Sequence, residues 1–303
     1  MTILTDFQHK ITDLLPELEL RLEEPLAKHT SFRIGGPAEV MAFPKSKEEL
    51  SDILKTSKLL DCKPVIIGAG TNILAPDDGI RGLVIVLKDC LDGMKQLDET
   101  HIQISAGVTM TRAALYAAGL GLSGLEFAHG IPGTVGGGVY MNAGAYGGEI
   151  SQVCARVQVM DSEGNTHVLS NAEMDFSYRH SRIEDEGGIV LSADFSLSQK
   201  NPEEIRATMQ ELMARRKNSQ PLDLPSAGSA FKRPVGGYAA ALIDQAGLKG
   251  FQVGGAAVSQ KHAGFVVNVG GATANDVKQL LKEVSGKVYE QTGIRIEPEI
   301  RIW

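Results

Sequence analysis

The sequence predicts an α+β fold in two or three lobes, and three observations lead there. A strand–helix–strand succession near the start runs into a glycine loop at a strand's C-terminal end. A hairpin-rich region with period-two alternation follows. The C-terminal third mixes short strands with one long, well-capped helix. At 303 residues the chain is too long for one typical compact core and suggests roughly two or three domains. Hydrophobic residues make up 43%, enough to bury, so disorder is not expected.

Residues 1–25 are a polar, helix-prone lead-in. Ala38 to Pro44 is an apolar run expected as a strand. Ser46 then caps a helix, with Glu49 three residues on to complete a capping box. Leu50, Ile53 and Leu54 form its inward stripe. Pro64 to Ile67 is expected as a buried strand running into Gly68-Ala69-Gly70-Thr71-Asn72, and Leu83 to Leu87 as another. From about residue 88 the pattern changes. His101 to Val108 alternates as a strand, Thr111 to Leu120 is a short helix, and a glycine-rich stretch runs from Gly130 to Gly148. Val153 to Leu169 is expected as a hairpin around Asp161-Ser162-Glu163-Gly164-Asn165, and Ile189 to Leu197 as one more strand. Pro202 opens a charged helix ending near Lys217. A helix from Tyr238 to Ala246 and strands from Phe251 to Val258 and Phe265 to Val269 follow. The last helix, about Asn275 to Gln291, starts on a capping box of Thr273 and Asp276. Val277, Leu280, Leu281, Val284 and Val288 share one face, and Gly293 sits just past its end. Ile294 to Ile302 is expected as a closing strand.

Composition excludes several functions. The net charge of −7 argues against a duplex nucleic-acid binder, which needs a basic face, but leaves room for a small anionic ligand held by backbone amides. Cys62, Cys90 and Cys154 are odd in number and widely spaced, giving neither a disulfide framework nor a metal motif. They suit a reducing compartment. Met1 to Pro25 has no apolar run of a signal peptide, and no stretch reaches the ~18 apolar residues of a membrane span. The seven histidines include no metal-binding pair, so no metal is expected. A cytoplasmic location follows as the expectation.

Glycine is clustered. Gly68-Ala69-Gly70-Thr71-Asn72-Ile73 fails the dinucleotide fingerprint because Ile73 stands where the third glycine belongs, and no Walker lysine follows. Alone it is an ordinary tight turn. The second cluster, Gly130-Ile131-Pro132-Gly133-Thr134-Val135-Gly136-Gly137-Gly138 followed by Met141 to Gly148, changes the balance. So many glycines cost chain entropy and are tolerated where a backbone must come close to something. Consecutive N–H groups make an anion-binding concavity, and two such loops suit the two phosphates of a dinucleotide. Phe176 to Ser181 is an aromatic–cation patch, ambiguous alone. Ser226 to Pro234 is a small-residue turn followed by two cations. Glu297-Pro298-Glu299-Ile300-Arg301 alternates carboxylates with apolar residues, and a carboxylate that faces inward needs a partner.

Taken in order, six segments resemble the UDP-N-acetylenolpyruvoylglucosamine reductase family: His29-Thr30-Ser31-Phe32-Arg33-Ile34-Gly35-Gly36, Ile67 to Asn72, Gly130 to Gly148, Tyr178-Arg179-His180-Ser181, Ser226 to Pro234 and Glu297 to Arg301. They run from about residue 25 to the C-terminus, and the match is closest to the shorter (type II) branch. The resemblance implies a two-lobed FAD-binding region of the vanillyl-alcohol-oxidase (PCMH) type plus a C-terminal α+β substrate-binding lobe. The lobes would be 1–87 joined by the strand 294–303, then 88–200, then 201–293. It also implies FAD as cofactor, held by Ile67, Gly68, Ala69, Gly70, Thr71 and Asn72 and by Gly130, Ile131, Pro132, Gly133, Thr134, Gly136, Gly137 and Asn142. Arg179, Ser229 and Glu299 match the family's catalytic positions. Tyr178, Lys217, Lys232, Arg233 and Gln260 fall in segments that contact the sugar nucleotide, Arg233 standing where some relatives carry asparagine.

The activity implied is reduction of UDP-N-acetylglucosamine enolpyruvate to UDP-N-acetylmuramate in peptidoglycan precursor synthesis, with NADPH as reductant using the same cleft. A monomer is expected, with neither nucleic acid nor membrane as partner. Two rivals stand beside it: another FAD-linked oxidoreductase of the same fold, sharing the glycine loops and acting on a hydroxy acid or sugar, and a nonenzymatic nucleotide-sugar-binding protein. A glycosyltransferase is weaker, since no acidic metal-binding pair stands out.

Overall fold

The computed structural model describes residues 5–88 and 90–303, so the first four residues of the polar lead-in lie outside it. The chain divides into two compact units. The first is drawn from Met1–Leu22, Glu39–Ala69 and Gly82–Arg215, the second from Glu23–Ala38, Gly70–Arg81 and Arg216–Trp303. The units are interleaved along the sequence. Phe32, Ile34 and Leu74 are why: they are buried in one hydrophobic cluster with residues from Ala227 to Ile300.

In the first unit, helix α1 (Asp6–Leu14) starts on a capping box of Thr5 and Gln8, and Ile11 enters the core. The strand Leu20–Pro25 was not anticipated within the polar lead-in, although Leu20 and Leu22 alternate with Arg21 and Glu23. It begins a sheet in the order Leu20–Pro25, Pro37–Ala42, Ile80–Val86, Val65–Ile67, the last two parallel. Helix α2 (Lys47–Leu59) buries Leu50, Ile53 and Leu54 with Val40, Leu83 and Ile85. Its expected capping box forms only by half. Ser46 accepts from Glu49 N–H, but the Glu49 carboxylate reaches one residue further back, to Lys45 N–H at 2.7 Å.

A five-stranded antiparallel sheet follows, ordered Thr166–Ser170, Cys154–Met160, Ile189–Ser196, His101–Ser105, Met94–Gln96. The central strand is buried along nearly its whole length. It carries a bulge: Gln158 faces Ser192 and Val159 faces Val190, leaving Leu191 as the extra residue. One inserted residue flips the pleat. Val190, Ala193 and Phe195 therefore join one cluster, while Ile189 and Leu191 join the cluster of the first sheet. Helix α3 (Met110–Gly119) packs its alanines into the larger cluster. Inside the expected loop Gly130–Gly148 lies a short helix, α4 (Val135–Tyr140), despite its three glycines. Helices α5 (Arg182–Glu186) and α6 (Pro202–Ser219) follow.

In the second unit, four antiparallel strands run Ser226–Ser229, Phe265–Asn268, Ala256–Val258, Gln252–Val253. The single strand expected over Phe251 to Val258 is two short ones folded back on each other. The turn falls at Gly254-Gly255, where Gly254 takes φ +52. Helices α7 (Ala239–Gln245) and α8 (Ala274–Thr292) share the core, and the Thr273–Asp276 capping box and left-handed Gly293 bound α8. Asp77 adds a tertiary cap, its carboxylate accepting from Ala274 N–H at 2.6 Å and Asn275 N–H at 3.1 Å. The closing strand is much shorter than expected. Only Arg301–Ile302 is strand, parallel to Ile73–Leu74, because Pro298 lacks an N–H for a continuous ladder. Among the described residues, no helix is long and apolar enough to cross a membrane, and no group of His, Cys, Asp and Glu could hold a metal ion.

Candidate active site

The first glycine loop begins where Val65–Ile67 ends, with Ile67 fully buried. Gly68 lies against the second cluster: a β-carbon there would fall 2.8 Å from Thr134 Oγ1. The two loops that sequence placed far apart therefore meet. Among the described residues, no group of the fold accepts from the backbone N–H of Gly68, Ala69 or Gly70.

The second cluster is used differently along its length. Gly130 N–H donates to Thr111 Oγ1, Ile131 N–H to the Ala128 carbonyl, Val135 N–H to Val108 and Gly136 N–H to Ala106. Gly137 and Gly138 donate to the Oγ1 and carbonyl of Thr134. Among the described residues this leaves the N–H groups of Gly133 and Thr134 without an acceptor in the fold. Gly133 takes φ +132, a conformation that favours glycine. Unengaged N–H groups such as those of Gly68 and Thr134, which lie against each other, suit phosphate oxygens without a lysine. These residues fit the diphosphate of FAD.

Asn142, which the resemblance places among the cofactor-binding residues, lies just past α4. It is 1% exposed and takes φ +41. Its Nδ2 donates to the Ser177 carbonyl (2.9 Å) and to Glu149 Oε1 (3.3 Å), and its Oδ1 accepts from Ser151 N–H (2.9 Å). The side chain is engaged within the fold rather than presented to a ligand. Ser177 and His180 pair through both backbone bonds, making a tight turn with Tyr178 and Arg179 at its tip. Arg179 takes φ +58 at the third turn position, which usually calls for glycine or asparagine. Its Nη2 donates to the Gly144 carbonyl (3.1 Å), and its guanidinium sits 5.0 Å from the Tyr178 ring centre.

The second unit holds Ser229 and Glu299 on neighbouring segments. Glu299 N–H donates to the Ala230 carbonyl (2.8 Å), and Phe231 pairs with Pro298. Ser229 is exposed. It follows a bulge in which three residues from Ser226 oppose two from Val267, with Gly228 at φ +78. Bulges re-aim the side chains that follow them. Of the alternating carboxylates, Glu299 is half-buried and Glu297 exposed.

Three connections here went unread in the sequence. Asn72 Nδ2 donates to the Glu299 carbonyl (3.4 Å), and Arg301 N–H to the Asn72 carbonyl (2.9 Å), tying the glycine loop to the terminal segment. Ser31 N–H donates to the Gly70 carbonyl (3.0 Å) and Ser31 Oγ to the Ser226 carbonyl (2.6 Å). The signal was the segment His29 to Gly36, singled out but given no role. Lys261 Nζ donates to the Lys217 carbonyl (2.6 Å), bringing Lys217 near the Gln260 segment. Lys232 stands 3.9 Å from Glu297, and Arg233 lies 4.5 Å from the Tyr238 ring centre. The thiols take no part: burial pushes Cys90 up to about 11 and Cys154 up to about 12, so both stay protonated and inert.

A mixed helix–strand scaffold that joins two glycine loops into an amide cradle is that of an FAD-dependent oxidoreductase. A family model described as FAD binding domain matches residues 38–170. One described as the C-terminal domain of UDP-N-acetylenolpyruvoylglucosamine reductase matches residues 220–303. Reductases of that name from Caldanaerobacter subterraneus subsp. tengcongensis and Lactococcus lactis subsp. cremoris MG1363 are each 47% identical, covering 97% of this chain and 96% and 98% of theirs. The crystal structure of the Thermus caldophilus reductase superposes with a TM-score of 0.78 at 35% identity, over 95% of this chain and 99% of that one. Alkyldihydroxyacetonephosphate synthase shares the fold alone, with a TM-score of 0.50 at 15% identity over 66% of this chain and 42% of its own. The chain belongs to the UDP-N-acetylenolpyruvoylglucosamine reductase family, and its fold is the FAD-binding one of vanillyl-alcohol-oxidase (PCMH) type with an α+β C-terminal region.

Proposed function

We propose that this protein reduces the enolpyruvyl ether of UDP-N-acetylglucosamine to UDP-N-acetylmuramate, a peptidoglycan precursor, with NADPH as reductant. The observation that carries the reading is that the segments bearing Ser229 and Glu299 run side by side through the Glu299–Ala230 and Phe231–Pro298 pairings, in a chain of this family. The division into lobes at 1–87 joined by the strand 294–303, 88–200 and 201–293 stays part of the reading.

The N–H groups of Gly68, Ala69, Gly70, Gly133 and Thr134 hold the FAD diphosphate, with Ile67 backing the first loop. FAD, when bound, supplies hydride transfer from NADPH to the vinyl CH2 carbon of the sugar nucleotide. Negative charge then develops on the neighbouring carbon and spreads into its carboxylate. A fixed cation is the efficient partner for such charge, and Arg179 is that cation. A Glu299 that carries a proton assists by donating a hydrogen bond to that carboxylate. The carbanionic carbon must take a proton. A hydroxyl is normally a poor acid, but it is competent against so strong a base when held in place. Ser229 donates that proton. Tyr178, Lys217, Lys232, Arg233 and Gln260 contact the sugar nucleotide. The same reading takes the protein to be cytoplasmic and monomeric.

The visible spectrum under anaerobic conditions tests the reading. Flavin absorbance bleaches on adding NADPH and returns on adding the enolpyruvyl sugar nucleotide. A colourless protein that takes up no FAD would refute the function. Bleaching by a hydroxy acid rather than by NADPH would move it to another oxidoreductase of the same fold. Ser229→Ala keeps the first half-reaction and slows the second by orders of magnitude; near-normal turnover would remove Ser229 as the donor.

A further inference from the structure

We infer that Asn142 and Ser181 are positioning residues for Arg179, an inference that rests on the role proposed above for that arginine. Arg179 sits at φ +58 on the tip of the Ser177–His180 turn. A residue with a side chain is held in that region only at a conformational cost, so the surroundings must fix it. Two buried side chains do so. Asn142 donates to the Ser177 carbonyl at the turn's first residue. Ser181, fully buried, donates to the Tyr140 carbonyl from the residue just past the turn. That carbonyl closes α4, whose first residues follow directly on Gly133 and Thr134. The turn bearing the cation is thus clamped at both ends to the segment that leaves the amide cradle. The Arg179 guanidinium adds its own bond to Gly144 in the same segment.

The Asn142 side chain is specific for this task. Both Nδ2 hydrogens and Oδ1 are used, and asparagine tolerates the left-handed backbone at φ +41 better than most residues. Asn142→Asp keeps shape, backbone tolerance and the bond from Ser151, but replaces the donor to Ser177 by an oxygen that repels it. Ser181→Ala removes only the hydroxyl, at an extended backbone position with no strain of its own.

The test uses FAD-loaded enzyme in anaerobic stopped-flow, reading flavin reduction by NADPH and reoxidation by UDP-N-acetylglucosamine enolpyruvate separately. A misplacement of about 1 Å can cost on the order of a hundredfold. Ser181→Ala is expected to slow reoxidation by about tenfold or more while reduction stays within about twofold. Asn142→Asp is expected to slow reoxidation more than reduction. Combined with Arg179→Ala, neither substitution lowers reoxidation further, because both act through the arginine. Slow reoxidation that remains additive to Arg179→Ala overturns the proposal, as does equal loss in both half-reactions or lost FAD affinity. Arg179→Ala slow with both positioning variants normal also overturns it alone. Arg179→Ala reoxidised at the wild-type rate overturns the role of Arg179 itself, and the proposal with it.

Discussion

At φ +62, Gly70 holds a backbone conformation that side-chain-bearing residues rarely adopt, and a β-carbon there would fall 2.0 Å from the His29 carbonyl oxygen. Backbone cannot yield as a side chain can, so Gly70→Ala must move the loop itself. Gly228, at φ +78, has nothing within 4 Å of where a β-carbon would stand. Its replacement by alanine meets only the conformational cost of roughly 1–2 kcal/mol. The two substitutions should therefore fail differently. Gly70→Ala is expected to purify with much less flavin per protein, measured from visible absorbance after unfolding. Gly228→Ala is expected to retain flavin and NADPH reduction but to slow the second half-reaction, since the bulge that aims Ser229 is disturbed. Full flavin in Gly70→Ala would mean the loop's tight contact with His29 is dispensable for the cradle.

Helix α4 shows why element-level propensity is a weak guide here. A six-residue helix with three glycines should not form alone, since each interior glycine costs about 0.5–1 kcal/mol relative to alanine. Tertiary bonds set it instead: Val135 and Gly136 donate to the Val108 and Ala106 carbonyls, and Thr134 caps its start. The glycines then divide by what surrounds them. At Gly137 a β-carbon would make only an ordinary 3.7 Å contact with Thr134 Oγ1, so Gly137→Ala should stabilise the flavin-free protein by about 0.5–1 kcal/mol. At Gly136 it would meet the Ala106 β-carbon at 2.9 Å and its carbonyl oxygen at 3.3 Å, atoms with no rotamer to escape into. Gly136→Ala should destabilise by about 1–3 kcal/mol through overpacking. Denaturant unfolding of the two apoproteins checks the sign; a loss in both would mean that α4 has no room on either side. At α8 the element was legible throughout, because both caps and the apolar stripe lie in consecutive residues.

Across the molecule, legibility falls as sequence separation grows. The α2 stripe, the Cys154–Ser170 hairpin and the strand–helix–strand start are local patterns, and the sequence carries them openly. The extra residue at Leu191 is invisible because an apolar run reads the same with or without a bulge, yet it decides which cluster each side chain enters. The closing strand was overread because alternation persists through Pro298 while the hydrogen-bonding ladder does not. In the site, residue types were legible and their partners were not. Asn142 reaches Ser177 across 35 positions and Asn72 reaches Glu299 across 227, and no spacing rule encodes either pair. The cradle is likewise a tertiary product, made where Gly68 meets Thr134. A chain with net charge −7 does not draw in a diphosphate through its overall field, and in the proposed site the N–H groups of the two loops take that part. Binding to the folded state alone then raises stability: free FAD at a hundred times its Kd adds about 2.7 kcal/mol. At about 2–4 °C per kcal/mol, the apoprotein's Tm should rise by roughly 5–10 °C under that condition. Gly70→Ala should need far more FAD for the same shift, because its N–H groups are displaced before the ligand arrives. An apoprotein whose Tm ignores FAD would mean the two loops meet without forming a diphosphate site. An equal shift in both proteins would mean that FAD is held by groups other than the first loop.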